Sequence, residues 1–189
     1  MQPIISWMNG THTQQITAPF NFGVIDAGDL SPIYTFNIWN NKNGTVDVSK
    51  MEDCTITTRD MSGGLGNTVG NEVEVVKNNW FHAQVDSLGE TDISDPSSAI
   101  GKDYSKPIGT TGATTKDNTG ALYPTPFVPG AKEILGVKNN GDPTDAAGNY
   151  ATVSLQAAVP LDAKSGRQQF KLRVNKMAPY TSNGVAQIL

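Results

Sequence analysis

Short runs in which apolar and polar residues alternate, cut apart by clusters of Gly, Pro, Asn, Asp, Ser and Thr, set the tightest limit on what this chain can fold into. In residues 33–39, Tyr34, Phe36 and Ile38 share one side and Thr35 and Asn37 the other. Residues 54–59 repeat the pattern, with Cys54, Ile56 and Thr58 set against Thr55, Thr57 and Arg59. A period of two is the pleat of a strand buried on one face. Phe81, Ala83 and Val85 alternate in residues 80–87, as do the apolar positions of 151–159 and 170–174. The chain therefore reads as all-β with many turns. A weaker strand is expected over 13–17, and 72–76 is expected to pair with 80–87 as a hairpin through Lys77, Asn78 and Asn79. The runs 151–159 and 170–174 read as a second hairpin, turned by residues 160–166. The core is expected from Tyr34, Phe36, Ile38, Cys54, Ile56, Phe81, Val85, Val153, Leu155, Phe170 and Leu172.

A length of 189 residues with 37% hydrophobic and 17% charged side chains suits one globular domain. The net charge of −4 repels a phosphate backbone, and no cluster of Lys and Arg stands out along the sequence, so direct nucleic-acid binding is not expected. No apolar run approaches the roughly 20 residues that span a bilayer. Residues 1–8 lack the basic start and small-residue cleavage site of a secretory signal. The single cysteine, Cys54, falls on an apolar face and reads as a buried thiol in a chain made in a reducing cytoplasm.

Chemistry-bearing motifs are sparse. His12 and His82 stand some seventy residues apart with no second ligand at metal spacing and no nucleophile partner, so neither a zinc site nor a triad is expected, and no cofactor. Gly63, Gly64 and Gly66 lack the Gly-Lys-Ser/Thr ending of a phosphate cradle and read as a mobile turn. Asp86, Glu90, Asp92 and Asp95, and the loop 139–145, carry oxygen ligands but miss the twelve-residue calcium spacing. Asn9-Gly10-Thr11 and Asn43-Gly44-Thr45 fit the glycosylation pattern and read as turns. Trp7, Trp39 and Trp80 could build a sugar-stacking platform; Trp39 and Trp80 are expected in the core and Trp7 as a docking anchor.

Residues 88–132 are rich in Gly, Ser, Thr, Asp and Pro with few apolar anchors, and loops of this length are functional or disordered. Such a composition cannot bury enough apolar surface to offset its ordering entropy. The expected organisation is an N-terminal arm or edge strand (1–18), one sandwich (19–177) with the long insertion (88–132), and a C-terminal tail (178–189). Arm, insertion and tail are expected to be ordered by partner subunits through Ile4, Ile5, Trp7, Tyr104, Tyr123, Phe127, Tyr180, Ile188 and Leu189.

Two resemblances follow from the residues. The stretch Pro19-Phe20-Asn21-Phe22-Gly23-Val24-Ile25-Asp26-Ala27-Gly28-Asp29 resembles the opening strands of microbial immunoglobulin-like domains, and Val159-Pro160-Leu161-Asp162-Ala163-Lys164-Ser165-Gly166 between two strands resembles their close. This implies an immunoglobulin-like β-sandwich with a long inserted loop and extended terminal arms. Residues 36–41, 54–60, Trp80 with 85–90 and the final strand pair also resemble the small Ig-like structural proteins of tailed-bacteriophage virions. That resemblance implies a non-enzymatic capsid decoration or head-associated subunit, assembled in the host cytoplasm and bound to major capsid or other virion subunits in a symmetric or homo-oligomeric assembly. A neck or tail component, or a carbohydrate-binding adhesion module, is the alternative.

Overall fold

The computed structural model describes residues 1–175 and the strand backbone of residues 180–188. In chain order its strands and one helical turn are β1 (Ile5–Asn9), β2 (Phe20–Ile25), β3 (Tyr34–Asn40), β4 (Thr55–Arg59), α1 (Glu74–Lys77), β5 (Phe81–Gln84), β6 (Ala99–Ile100), β7 (Lys106–Pro107), β8 (Thr114–Lys116), β9 (Leu122–Phe127), β10 (Tyr150–Ala157), β11 (Gly166–Asn175) and β12 (Tyr180–Ile188). One sheet runs β1-β3-β10-β5-β6, a second β2-β12-β11-β4-β7, and β8 pairs with β9. The orders β3-β10-β5 and β4-β11-β12 are the B-E-D and C-F-G triplets of the immunoglobulin sandwich. β2 pairs in parallel with β12, while the other pairings are antiparallel. The fold is an immunoglobulin-like, all-β sandwich.

Alternation along each strand decides which side chains meet between the sheets. Phe36 and Ile38 of β3, Phe81 and Ala83 of β5, and Val153 and Leu155 of β10 face Ile56 of β4 and Phe170, Leu172 and Val174 of β11, all with no exposed area. Rings cross the gap directly: Phe81 lies 4.4 Å from Phe170 and 5.3 Å from Phe22, and Phe36 lies 5.5 Å from Phe20. Cys54 and Val85 are equally buried, and Tyr34 packs half-buried at the rim. The core positions expected from the sequence are those that fill this space.

Several pairings differ from expectation. β10 and β11 do not form a hairpin; they lie in opposite sheets. The end of β10 is drawn sideways by Gly28, whose N–H donates to the Val159 carbonyl at 3.0 Å, and by the Val159 N–H donating to the Asp29 carbonyl at 3.0 Å. Residues 72–76 are not a strand: Val75 and Val76 are adjacent and both fully buried, which a pleat cannot arrange but the single turn α1 can. The edge strand at the N-terminus is β1 rather than 13–17. There the Asn9 side-chain carbonyl accepts from the backbone N–H groups of Thr13 and Gln14 at 2.9 and 3.1 Å, folding 10–14 into a turn. The expected tail 178–189 is instead largely β12, an internal strand bonded to both β11 and β2.

The insertion makes contacts of its own within the chain. β6 and β7 extend the two sheets, and Ile100 and Ile108 enter the core with no exposed area, as does Ile134 just beyond the insertion. Past it, residues 132–149 strap back across the outside of the first sheet. Met51 and Ile134 exchange backbone bonds of 2.8 and 3.0 Å, and the Val48 N–H donates to the Gly136 carbonyl at 2.8 Å. The strap comes so close there that a Cβ on Gly136 would collide with the carbonyls of Val48 and Ser49.

Asparagine amides replace apolar packing in this layer. Asn41 Nδ2 donates to Gly136 O at 2.9 Å, and Asn139 Nδ2 to Asn41 O at 2.8 Å. Asn149 Nδ2 donates to Asn40 O and Val137 O at 3.0 and 2.9 Å. Beneath them Trp39, Met8 and Ala146 form a second apolar cluster, closed by Tyr150.

Candidate interaction surfaces

The β8–β9 hairpin stands out because its sequence Leu-Tyr-Pro-Thr-Pro-Phe-Val-Pro leaves apolar groups in solvent. Leu122 is 73% exposed, Val128 68% and Phe127 42%. Its turn is pre-organised. Asp117 Oδ1 accepts from the backbone N–H groups of Thr119 and Ala121 at 2.8 and 3.1 Å and from the Thr119 hydroxyl at 2.7 Å, and Gly120 takes φ +84°. Those bonds, the Thr119 hydroxyl first, hold the Asp117 carboxyl below its ordinary range. The base is fixed by Thr114, whose buried hydroxyl donates to Asn149 Oδ1 at 2.7 Å, and by a Lys116–Asp145 ion pair at 3.1 Å. On the hairpin Tyr123 and Phe127 meet edge to face at 4.8 Å, and the Tyr123 hydroxyl donates to Lys138 O at 2.8 Å. Burial, then Asp47 and Asp117, push the Tyr123 phenol above its usual range. Pro124 and Pro126 have no N–H to donate, so β9 is a poor template for adding another strand. Its side chains, rather than its backbone, are what it offers a partner.

The expected contact residues are dispersed. Tyr123 and Phe127 come together on the hairpin, and Leu122 and Val128 of the same segment are exposed; sequence reasoning did not single those two out. Tyr104 is 58% exposed on the loop between β6 and β7, where its carbonyl accepts from the Thr57 hydroxyl at 2.8 Å. Ile4 is 53% exposed at the start of β1, and Ile5 packs half-buried on the core. Trp7 is a correction: it is a core side chain, 7% exposed and 5.5 Å from the Phe36 ring, because β1 turns that face inward. Tyr180 and Ile188 belong to β12 with side chains outside the described residues, and Leu189 lies outside them altogether.

The remaining polar candidates are engaged locally. His12 Nδ1 accepts from the Trp39 indole N–H at 3.0 Å and its ring packs against Tyr150; burial and then Lys42 keep its pKa below the usual histidine value. His82 is the exception: it is half-buried on β5, and its Nδ1 is buried with no hydrogen-bond partner among the described residues. Glu90 pairs with the buried Lys106 at 3.0 Å, Asp86 accepts from the Ser154 hydroxyl at 2.7 Å, and Asp92 and Asp95 cap the backbone of Ser94 and Ser97. Among the described residues no group of three or more His, Cys, Asp or Glu gathers to hold a metal ion. A cleft of about 410 Å³ beside β11 is lined by Asp60, Glu72 and Arg167, a mixture of charges favouring neither sign of ligand. Trp39 and Trp80 are buried like Trp7, so no tryptophan platform faces solvent.

No family model and no curated protein matches the chain. Among solved structures, a family 123 glycoside hydrolase from Clostridium perfringens aligns over 100% of this chain with a TM-score of 0.44 and 11% identity. The chain spans 27% of the length of that hydrolase. The ASH/PapD-like domain 7 of human CEP192 aligns over 98% of this chain and 84% of its own length, with a TM-score of 0.34 and 8% identity. The class of the protein therefore rests on its own strand order.

Proposed function

We propose that this chain is a non-enzymatic structural subunit that binds a neighbouring protein through the β8–β9 hairpin. The virion of a tailed bacteriophage is the setting implied by the sequence resemblance, with capsid decoration or a head-associated position first and a neck or tail position second. The observation that carries the reading is a hairpin stiffened by prolines and anchored to a buried base, yet presenting Leu122, Phe127 and Val128 to water. Surface apolar groups grouped on a rigid support are how protein interfaces place their anchors, since little ordering entropy remains to be lost on binding. The carbohydrate alternative is weakened by the burial of all three tryptophans.

Co-sedimentation with purified virions tests this. The wild-type chain is expected to travel with the particles, and the Leu122→Asp, Phe127→Asp double variant to lose at least about tenfold in affinity. Its thermal midpoint should stay close to wild type, because both side chains are exposed. Equal co-sedimentation of the variant, or no association of the wild type, would contradict the reading.

A further inference from the structure

We infer that the outer face of the second sheet is a docking site for an acidic segment of a partner protein. In β11 the inward Phe170, Leu172 and Val174 alternate with outward Arg167, Gln169, Lys171 and Arg173. The register sets Lys171 directly opposite Arg59 of β4, and Arg173 opposite Thr57, so three cations share neighbouring positions. Like charges placed across a strand pair destabilise a sheet. All three arginines of the chain lie on these two strands, and among the described residues neither they nor Lys171 makes an ion pair. Six lysines elsewhere do, namely Lys50, Lys102, Lys106, Lys116, Lys138 and Lys164.

The guanidinium groups are also positioned. Arg59 Nη1 donates to the Gly101 carbonyl at 2.6 Å and the Thr58 carbonyl at 2.8 Å, and Arg173 Nη2 to the Gly63 carbonyl at 3.1 Å. Arg173 Nε is buried and has no hydrogen-bond partner among the described residues. Asp60, next to Arg59, attracts that guanidinium but makes no ion pair with it, because its carboxylate is engaged elsewhere. Its carboxylate accepts from the N–H groups of Ser62, Gly64 and Gly66 at 2.9, 2.8 and 3.1 Å and from the Ser62 hydroxyl at 2.5 Å. The sequence of residues 176–188 contains no Asp or Glu. Lys171 and Arg173 are left without an ion-pair partner among the described residues, and fixed arginines suit the paired oxygens of a carboxylate. A net charge of −4 over the whole chain disfavours a long polyanion, which leaves a short acidic stretch as the fitting occupant.

Fluorescence anisotropy with a labelled hexaglutamate peptide at low salt tests the site, with sulfate and a short single-stranded oligonucleotide as parallel probes. The peptide is expected to bind, to weaken as salt is added, and to lose about tenfold in affinity in Arg59→Gln and again in Arg173→Gln. Lys132→Gln, the same charge change at an exposed position outside these strands, should bind as wild type. Lys171→Gln is the decisive variant: relief of the opposed charges should raise the thermal midpoint while affinity falls, a divergence that a structural role would not produce. The assignment is overturned if the peptide does not bind, if the arginine variants match Lys132→Gln, or if sulfate or the oligonucleotide is preferred. It is also overturned if the variants abolish self-association in its place. None of these outcomes bears on the hairpin, which lies on separate strands.

Discussion

Phe36→Ala is expected to lower folding stability by about 3–5 kcal/mol. Phe36 is fully buried, with Trp7 and Phe20 at 5.5 Å and Tyr34 at 6.4 Å, so it joins the edge strand, the first strand of the second sheet and its own strand. Truncation forfeits the ring's transfer energy and opens a cavity that three stiff aromatic neighbours cannot readily fill. In a domain of this size the thermal midpoint should fall by roughly 6–20 °C. Leu122→Ala, at a 73% exposed position, should stay within about 0.5 kcal/mol of wild type. A loss under about 1 kcal/mol at Phe36 in urea or thermal melts would show that the sheets do not meet there.

Asn149→Ala is expected to cost about 2–4 kcal/mol, although it removes only one amide group. The side chain has no exposed area and makes three bonds: it donates to Asn40 O and Val137 O and accepts from the Thr114 hydroxyl. Without it the Asn40 carbonyl and the Thr114 hydroxyl lose this partner in a layer where water does not easily replace it, while the Val137 carbonyl keeps Asn139 Nδ2 at 3.0 Å; each unmet group carries a desolvation penalty. The substitution also cuts the link from the first sheet to the base of the hairpin. Chemical denaturation with a tryptophan fluorescence readout measures the loss, and Trp39 in the same layer should report it. A variant as stable as wild type would mean that the strap is held by something other than its amides.

The strands of the sandwich core were legible because period two is a local property. Phe36, Ile56, Leu155 and Phe170 can be assigned to a buried face from their neighbours alone. Pairing is not local, which is why 151–159 and 170–174 read as a hairpin although β10 and β11 face each other across the core. Val75 and Val76 misled because two adjacent β-branched residues resemble a strand until both prove buried. The strap 132–149 is illegible for a different reason. Hydrophobic patterning does not register a layer fastened by Asn41, Asn139 and Asn149, whose composition is that of a loop. Of the hairpin, Tyr123 and Phe127 were legible as aromatic anchors in a polar stretch. Arg59, Lys171 and Arg173 were not, since the cluster exists only in the register of β4 against β11.

The central claim is that the chain orders its own insertion and leaves the hairpin for a partner. Hydrogen exchange on the free chain tests it most directly. The amides of Lys102, Ile108 and Thr115, bonded to the carbonyls of Val76, Cys54 and Asp145 at 2.8, 3.0 and 2.7 Å, should exchange as slowly as those of β3 with no partner present. Exchange at these three positions as fast as in an open loop, slowing only when a partner is added, would contradict the account.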